Sequence, residues 1–165
     1  APAAGLHFSR ELLKRLEIKG VEQAFITVHS GLGNFREIDV EDLTKHRMDS
    51  EQMIASQKLV DTVNHAKDID KQVCAVGTSV LRGIATAVSM GGHMKTYDGW
   101  TNKFIFPPYD FTVATALVSN FHMPYSTMLM MVSAFGGYDI VKKAYEVAVK
   151  EGYRFGAYGD SMLLI

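Results

Sequence analysis

The sequence predicts an α/β fold for a single globular domain over residues 1–165. Short apolar segments that favour strands alternate with longer amphipathic segments that favour helices. Glycine and proline separate these segments, and no repeat, low-complexity stretch or linker divides the chain. The composition, 47% hydrophobic and 21% charged, is sufficient to bury a sizeable core.

Capping residues mark the helices of the first half. Ser9 predicts the start of a first helix and Gly20 its end, and Ser56 predicts the start of a second helix. Residues 21–28 are predicted to form a strand and residues 36–40 to be extended. The apolar face of the second helix comprises Leu59, Val60, Val63 and Ala66.

The second half continues the alternation of strands and helices. We predict, in chain order, a strand at 72–76, a helix from 77–79 to about 90, a loop at 91–100, a strand at 103–106, a strand or helix at 113–118, a helix capped by Ser126 or Thr127 that ends near 135, a helix at 138–150, and a strand or irregular tail at 153–165. The inner face of the last helix comprises Val141, Tyr145, Ala148 and Val149. We also expect Leu12, Leu16, Val63 and Val76 to be buried.

The charge balance limits the partners that this chain attracts by itself. Lysine and arginine together number 17 against 18 acidic residues, so the chain has no overall basic field of the kind that draws a protein onto nucleic acid. Any contact with RNA must therefore be local, or must come from a part of the protein outside these residues.

The apolar pattern indicates a cytoplasmic protein. No apolar run approaches the roughly 20 residues needed to span a bilayer, and no basic region followed by an apolar stretch opens the chain. The single cysteine, Cys74, lies in an apolar run and is predicted to be a buried, inert thiol.

Several common kinds of site are excluded by spacing. The six histidines do not pair three or four residues apart on one predicted helix, so we expect no metal site. The chain also lacks a P-loop, a GxGxxG fingerprint and a GxSxG elbow. The residues alone therefore predict an α/β domain that binds a ligand or catalyses a reaction.

Four polar segments lie at strand ends or helix starts, where open α/β sheets place their ligands. They are residues 29–35, residues 77–79 with Arg82, residues 120–127, and residues 158–160. Gly31 and Gly33 allow a ligand to approach the backbone closely, although a simple hairpin explains them equally well. Thr78, Ser79 and Arg82 suit a carboxylate or phosphate, although a helix cap with a surface arginine is the plain alternative.

Taken together, these segments resemble one enzyme family. Residues 1–8, APAAGLHF, are similar to that family's APTAGLHF signature, and residues 27–35, TVHSGLGNF, to its TLHVGxGTF. Residues 46–51, HRMDSE, are similar to HxMHxE, and residues 75–82, AVGTSVLR, to AVGTTSxR. Residues 120–135 resemble NFHLPxSTLxMLVSAF, and residues 153–162 resemble YRFxSYGDAM. The chain is thereby identified as resembling the S-adenosylmethionine:tRNA ribosyltransferase-isomerases of queuosine synthesis.

The resemblance implies a fold, a reaction and a missing part. Family members are about twice as long, so this chain corresponds to the C-terminal half, and the N-terminal half is expected to be a partner. The implied fold is α/β, with a mixed sheet, barrel-like elements and flanking helices. The implied enzyme transfers the ribosyl group of S-adenosylmethionine to 7-aminomethyl-7-deazaguanine at the wobble position of tRNA, isomerises it to epoxyqueuosine, and releases adenine and methionine. S-adenosylmethionine is then a substrate, and no metal is expected.

The resemblance also assigns roles within this reaction. A base must remove a proton beside the sulfonium and an acid must protonate the departing adenine, for which His29 and His122 are the candidates. Glu51 and Asp160 are the carboxylate candidates for the base or for contact with the ribose hydroxyls. Thr78, Ser79 and Arg82 are expected to hold the methionine carboxylate, Asn120, Ser126 and Thr127 to bind a flat heterocycle, and Phe35, Phe121 or Tyr158 to stack on it.

The sequence departs from the family pattern at several polar positions. These are Ser30, Asn34, Asp49, Ser79 with Val80, Pro108 and Thr115. Two alternatives therefore stay open: a divergent paralogue that acts on a non-tRNA acceptor, and a module that binds S-adenosylmethionine without turnover. These 165 residues alone are expected to be inactive on tRNA.

Overall fold

The computed structural model describes residues 2–165, apart from the side chains of Asn34 and Phe35. Its helices are α1 (Arg10–Ile18), α2 (Gln57–Asp68), α3 (Thr78–Ala87), α4 (Thr127–Gly136) and α5 (Tyr138–Lys150), and its strands are β1 (Thr27–His29), β2 (Glu51–Ala55), β3 (Cys74–Val76), β4 (Tyr97–Thr101), β5 (Ala116–Asn120) and β6 (Ser161–Leu164). Short 3₁₀ helices cover Ala4–His7, Leu32–Phe35 and Leu43–Lys45.

The strands form two three-stranded sheets. The first has the order β1-β2-β4 and is antiparallel, with Met53 of β2 opposite Val28 on one side and Gly99 on the other. The second has the order β3-β5-β6 and is mixed, because β5 runs parallel to β3 and antiparallel to β6. The predicted α/β class with a mixed sheet and flanking helices is therefore confirmed.

Helix α3 connects the two sheets. It contacts β1, β2 and β4 of the first sheet as well as β3 and β5 of the second. Leu81 and Ile84 are buried in the core, and Gly83 lies so close to the first sheet that a Cβ there would meet the side chains of Ile26 and Met53. The cluster of buried apolar residues extends from β2 through α3 to β5 and α4.

The helix boundaries confirm the capping predictions. The hydroxyl oxygens of Ser9, Ser56 and Ser126 each accept a hydrogen bond from the backbone N–H three residues later. Gly20 adopts a φ of 81°, which favours glycine and ends α1 as expected. Helix α5 has the predicted bounds.

The predicted strand at 21–28 is wrong for most of its length, since β1 comprises only Thr27–His29. The reason is the partner strand. Thr27 lies opposite Ile54, and β2 ends at Ala55 because Ser56 caps α2. In the described part of the chain, residues 21–26 therefore have no strand to pair with.

Two further expectations about strands are wrong. Residues 97–101, predicted to be loop, form β4 on the outer side of β2, although Gly99 weakens the local strand signal. Residues 103–106, predicted to be a strand, belong to no strand in the structure described, and a cis Pro107–Pro108 bond follows them. Residues 97–101 form a strand because they pair with β2. The sequence did not predict β2, so this pairing could not be expected.

The burial predictions are confirmed in part. Val63 is buried, and Leu16 and Val76 are half-buried. Leu12 is 37% exposed, and α1 contains no buried residue. Val149 was expected on the inner face of α5 and is instead 68% exposed.

The prediction for Cys74 is wrong, because this thiol is exposed. Strand β3 is the edge strand of its sheet, and of its three residues only Ala75 is buried. Cys74 consequently faces away from the core. Partial desolvation of the sulfur nevertheless raises the pKa of the Cys74 thiol.

Within residues 2–165, no helix is long and apolar enough to cross a bilayer.

Replacement of Gly159 by alanine should destabilise the fold. A Cβ at this buried position would clash with the backbone oxygen of Arg154, and a backbone atom cannot move aside as a flexible side chain can. We expect a loss of about 1–3 kcal/mol in the free energy of unfolding, measured by urea denaturation. Gly5→Ala is the matched control, because a Cβ at Gly5 meets nothing within 4 Å. Equal midpoints for the two variants would contradict this close approach.

Candidate functional site

A cleft of about 310 Å³ lies where β3 leads into α3 and β5 leads toward α4. The volume falls at the lower end of the range typical of small-molecule sites. Seven of the predicted site residues line the cleft: Thr78, Ser79, Arg82, Asn120, His122, Ser126 and Thr127. Ser30, from the loop after β1, lines it as well. Three of the four polar segments, at 29–35, at 77–82 and at 120–127, thus meet at one cleft.

The other predicted residues lie outside this lining. His29 is exposed at the end of β1, and its ring has no hydrogen bond to the residues that the structure describes. Tyr158 is 89% exposed, next to the cleft-lining Ala157. Gly31 and Gly33 follow the cleft-lining Ser30, and the side chain of Phe35 lies outside the described part of the structure.

The N-terminus of α3 opens onto the cleft. Its N-cap residue, Gly77, has a φ of 104° and provides no side-chain cap. The first backbone N–H groups of the helix therefore lack the usual side-chain partner, next to the hydroxyls of Thr78 and Ser79. This end of the helix carries partial positive charge and suits an anionic group.

A buried ion pair supports one wall of the cleft. The guanidinium of Arg82, on α3, contacts the carboxylate of Glu51, on β2, and both side chains are 2% exposed. The other carboxylate oxygen of Glu51 accepts a hydrogen bond from the Gly31 N–H at 2.8 Å. Burial lowers the pKa of Arg82 from its ordinary value. The pair therefore ties the loop after β1 to both β2 and α3.

His122 is held in an uncharged state. Its ring Nε2 lies 2.8 Å from the Ser119 hydroxyl, and its backbone N–H donates to the Tyr145 hydroxyl at 2.9 Å. Burial lowers the pKa of His122 to about 4 and raises the pKa of Tyr145 to about 12. Near neutral pH the imidazole can accept a proton but holds none to donate as a cation.

An aromatic cluster fixes the segment that carries His122. Phe121 packs against Tyr145, Tyr153 and Phe155, with ring centroids between 5.2 and 5.7 Å apart. Phe121 is itself buried, so its ring serves this cluster. Stacking on a ligand, the role suggested by the sequence, would need an exposed face.

The loop at residues 154–160 is fastened to the end of β5. The amide nitrogen of Asn120 donates to the Gly156 oxygen at 2.9 Å and lies 3.5 Å from the Gly159 oxygen. Asp160 accepts a hydrogen bond from the Arg154 N–H at 2.7 Å through its carboxylate. Both side chains thus hold backbone groups of the loop.

Several parts of the site were not predicted from the sequence. Apolar residues form most of the rest of the lining, and they include Ala3, Ala4, Met123, Pro124, Met128 and Met131. Ser119 and His7 were also missed, although Ser119 precedes Asn120 and His7 lies within the first signature. Neither residue could be assigned to the site from the sequence, because the contacts of Ser119 with His122 and of His7 with Asn120 exist only in the folded chain.

Among residues 2–165, apart from the two side chains not described, no group of three or more histidine, cysteine, aspartate or glutamate residues is arranged to hold a metal ion.

Comparison with known proteins links this chain to one family. The family model described as queuosine biosynthesis protein matches residues 1–164. An S-adenosylmethionine:tRNA ribosyltransferase-isomerase of Bacteroides fragilis is 69% identical over the whole chain, which covers 47% of that protein. An enzyme of the same name from Clostridioides difficile is 49% identical over 99% of this chain, and the match covers 48% of that protein.

A solved structure has the same fold. The crystal structure of an S-adenosylmethionine tRNA ribosyltransferase from Thermotoga maritima matches 99% of this chain with a TM-score of 0.82 and 36% identity. The match covers 52% of that chain. The present chain thus spans about half the length of the relatives it matches.

The depressed pKa of His122 should make stability depend on pH. The unfolded chain binds a proton at this residue near pH 6.5, whereas the folded chain binds it only near pH 4. The unfolded state therefore holds more protons between these values, and stability should fall as pH decreases from about 6.5 to about 4. The loss is at most about 3 kcal/mol. Urea unfolding of wild type and His122→Gln across this range should show a shallower pH dependence in the variant, and identical slopes would contradict the burial of a neutral imidazole.

The Glu51–Arg82 pair should show strong energetic coupling. Arg82→Met leaves a buried carboxylate without its cation, so we expect a loss of about 3–5 kcal/mol in unfolding free energy. In the double variant, Glu51→Gln removes that charge and keeps an oxygen for the Gly31 N–H, so the loss should be smaller than for Arg82→Met alone. Urea unfolding of the four proteins measures the coupling. Additive losses would contradict a buried ion pair.

Proposed function

Because the chain belongs to the queuosine biosynthesis protein family, we propose that it is the C-terminal half of an S-adenosylmethionine:tRNA ribosyltransferase-isomerase. The complete enzyme transfers the ribosyl group of S-adenosylmethionine to 7-aminomethyl-7-deazaguanine in tRNA and forms epoxyqueuosine, with release of adenine and methionine. The observation that carries this proposal is the convergence of three separate family-like segments on one cleft.

The methionine part of S-adenosylmethionine fits the N-terminus of α3. A carboxylate there accepts hydrogen bonds from uncapped backbone N–H groups and from the hydroxyls of Thr78 and Ser79. Arg82 supports this end of the cleft, but its charge is already balanced by Glu51. We therefore assign Arg82 and Glu51 to positioning the cleft walls instead of to direct proton transfer.

His122 is the group we assign as the base that removes the proton beside the sulfonium. It is unprotonated at neutral pH and lines the cleft close to the apolar Met123 and Pro124. A low-polarity wall excludes water from the carbanion that forms beside the sulfur, which protects it from quenching by solvent. Asp160 is assigned to holding the loop at residues 154–160, because its carboxylate accepts the Arg154 N–H.

Two sets of residues can contact the heterocycles of the reaction, which are adenine and the 7-deazaguanine base of tRNA. Ser126 and Thr127 line the cleft and are buried, so their polar groups can meet a base that enters it. Tyr158 is exposed beside the cleft and offers a face on which a base from tRNA can stack. His29, Gly31 and Gly33 belong to the loop that continues this rim through Ser30.

The tRNA itself requires more than this half. The net charge of −1 provides no broad basic surface, so we assign most phosphate contacts to the N-terminal half of the complete enzyme. A protein that modifies tRNA in this way is expected to work in the cytoplasm.

In the complete enzyme, His122→Gln should reduce adenine release by about 10²-fold or more, because the variant lacks the proton acceptor. Chromatographic measurement of adenine from S-adenosylmethionine, in the presence of tRNA that carries the precursor base, tests this. Melting temperatures of both proteins separate a loss of chemistry from a loss of folding.

The 165-residue chain provides the second arm of this experiment. We expect it to release no adenine above background, because it lacks the other half of the enzyme. Sustained turnover by the chain alone would contradict its assignment as half of an enzyme. Near-normal turnover by folded His122→Gln enzyme would return His122 to a structural role. Binding of S-adenosylmethionine without turnover by the complete protein would identify a binding module.

A further inference from the structure

The orientation of the buried Asn120 side-chain amide determines the tautomer of His7, a histidine outside the predicted site. Asn120 is 2% exposed, and its amide nitrogen donates to the Gly156 oxygen at 2.9 Å, with the Gly159 oxygen at 3.5 Å. The reverse orientation would bring the amide oxygen against two carbonyl oxygens, which repel it. The amide oxygen must therefore face the other way, toward His7.

His7 then has a defined hydrogen-bond donor. Its Nε2 lies 3.2 Å from the Asn120 amide oxygen, which can only accept, so Nε2 carries a proton. In the neutral ring Nδ1 is consequently the nitrogen without a proton, and Nδ1 is the position that gains or loses one. No hydrogen bond occupies Nδ1 among the residues that the structure describes.

His7 lies beside the cleft, next to residues that line it. His7 ends the 3₁₀ helix that begins at Ala4, and Ala3 and Ala4 line the cleft together with Asn120. The His7 side chain is exposed, so its ring is open to a molecule bound at this rim. By contrast, His29 makes no hydrogen bond to any cleft-lining residue within the described structure.

We propose that His7 is a second catalytic histidine of this site and protonates adenine as it departs, an assignment that rests on the proposed function. In this step the bond between the ribose C1′ and the adenine nitrogen breaks, its electron pair stays on adenine, and a lone pair of the ribose ring oxygen fills the vacancy at C1′. The Nδ1 proton of the His7 imidazolium passes to an adenine ring nitrogen. The ring that remains is the neutral Nε2–H form, which is the form that Asn120 accepts as a hydrogen-bond donor.

The two histidines are thereby held by consecutive residues of β5. Ser119 contacts the ring of His122, and Asn120 contacts the ring of His7. The first ring is half-buried and lies next to the sulfonium in the proposed function, whereas the second is exposed beside the cleft. A base and an acid at separate positions match a reaction in which one proton leaves the substrate and another joins the leaving group.

The experiment uses His7→Gln in the complete enzyme, because glutamine retains an N–H donor for Asn120 but cannot transfer a proton. Two readouts are measured in D₂O with the tRNA substrate: adenine release, and exchange of deuterium into C5′ of recovered S-adenosylmethionine. We expect His7→Gln to lower adenine release by about 10²-fold while exchange continues. His122→Gln should lower both by about 10²-fold or more. His65→Gln is the matched control, since His65 is an exposed histidine outside the cleft lining.

Adenine release by His7→Gln within threefold of wild type would overturn the assignment, as would loss of release in His29→Gln but not in His7→Gln. Loss of exchange together with release in His7→Gln would also overturn it, because an acid that acts only on adenine leaves the first step intact. Failure of the wild-type enzyme to release adenine would instead refute the proposed function itself.

A readout independent of turnover is available in the 165-residue chain. Nitrogen-15 NMR of the histidine rings distinguishes the two neutral tautomers, and we expect the Nε2–H form for His7 at a pH where the ring is neutral. The Nδ1–H form would overturn the proposal, because Asn120 would then not orient the ring.

Discussion

The buried ion pair between Glu51 and Arg82 is the contact on which the arrangement of the cleft depends. Glu51 belongs to the first sheet, and Arg82 belongs to the helix that follows a strand of the second. Ionised groups this deeply buried are costly unless each is paired and hydrogen-bonded, so the two sheets must meet in the one register that brings them together. The same carboxylate accepts the Gly31 N–H, which extends this constraint to the loop at the cleft rim.

A second constraint comes from the end of β5. Successive side chains of a strand point to opposite sides, so Ser119 and Asn120 reach different neighbours although they are adjacent. One contacts a ring on the segment after β5, and the other contacts a ring near the N-terminus, 113 residues away in sequence. Groups held by rigid elements keep their geometry better than groups on loops, which is what proton transfer over hydrogen-bond distances requires.

The helices were largely predictable from the sequence, whereas the strands of the first sheet were not; β3 of the second sheet lies within the predicted strand at 72–76. Ser9, Ser56 and Ser126 are local signals, because each caps the helix that follows it in the chain. Strand pairing is not local. Local signals favoured a loop at 91–100 and a strand at 103–106, yet it is the segment at 97–101 that lies against β2. The error at residues 21–26 has the same origin, since their partner strand ends at Ala55.

The site was also predictable from the sequence only in part. Segments at the ends of β3 and β5 were predicted as ligand-binding because α/β topology places ligands there, and both segments line the cleft. The roles of individual polar residues were harder to predict from the sequence. Glu51 and Asp160 were considered for proton transfer or sugar contact, and the structure shows them bound to Arg82 and Arg154. A sequence lists carboxylates but does not show which of them already have a cation or an N–H as a neighbour.

The electrostatics of the cleft suit a positively charged substrate. Each arginine of the lining has a carboxylate partner, Arg82 with Glu51 and Arg36 with Asp49 at 3.3 Å. Burial keeps His122 uncharged near neutral pH, so it adds no positive charge. A sulfonium would be repelled by an unpaired cation in a setting of low polarity, where Coulomb interactions are weakly screened. Under the proposed function, the desolvation that weakens His122 as a base also removes a repulsion that would oppose binding of S-adenosylmethionine. The positive sulfur of that substrate would offset the weak base by acidifying the adjacent carbon.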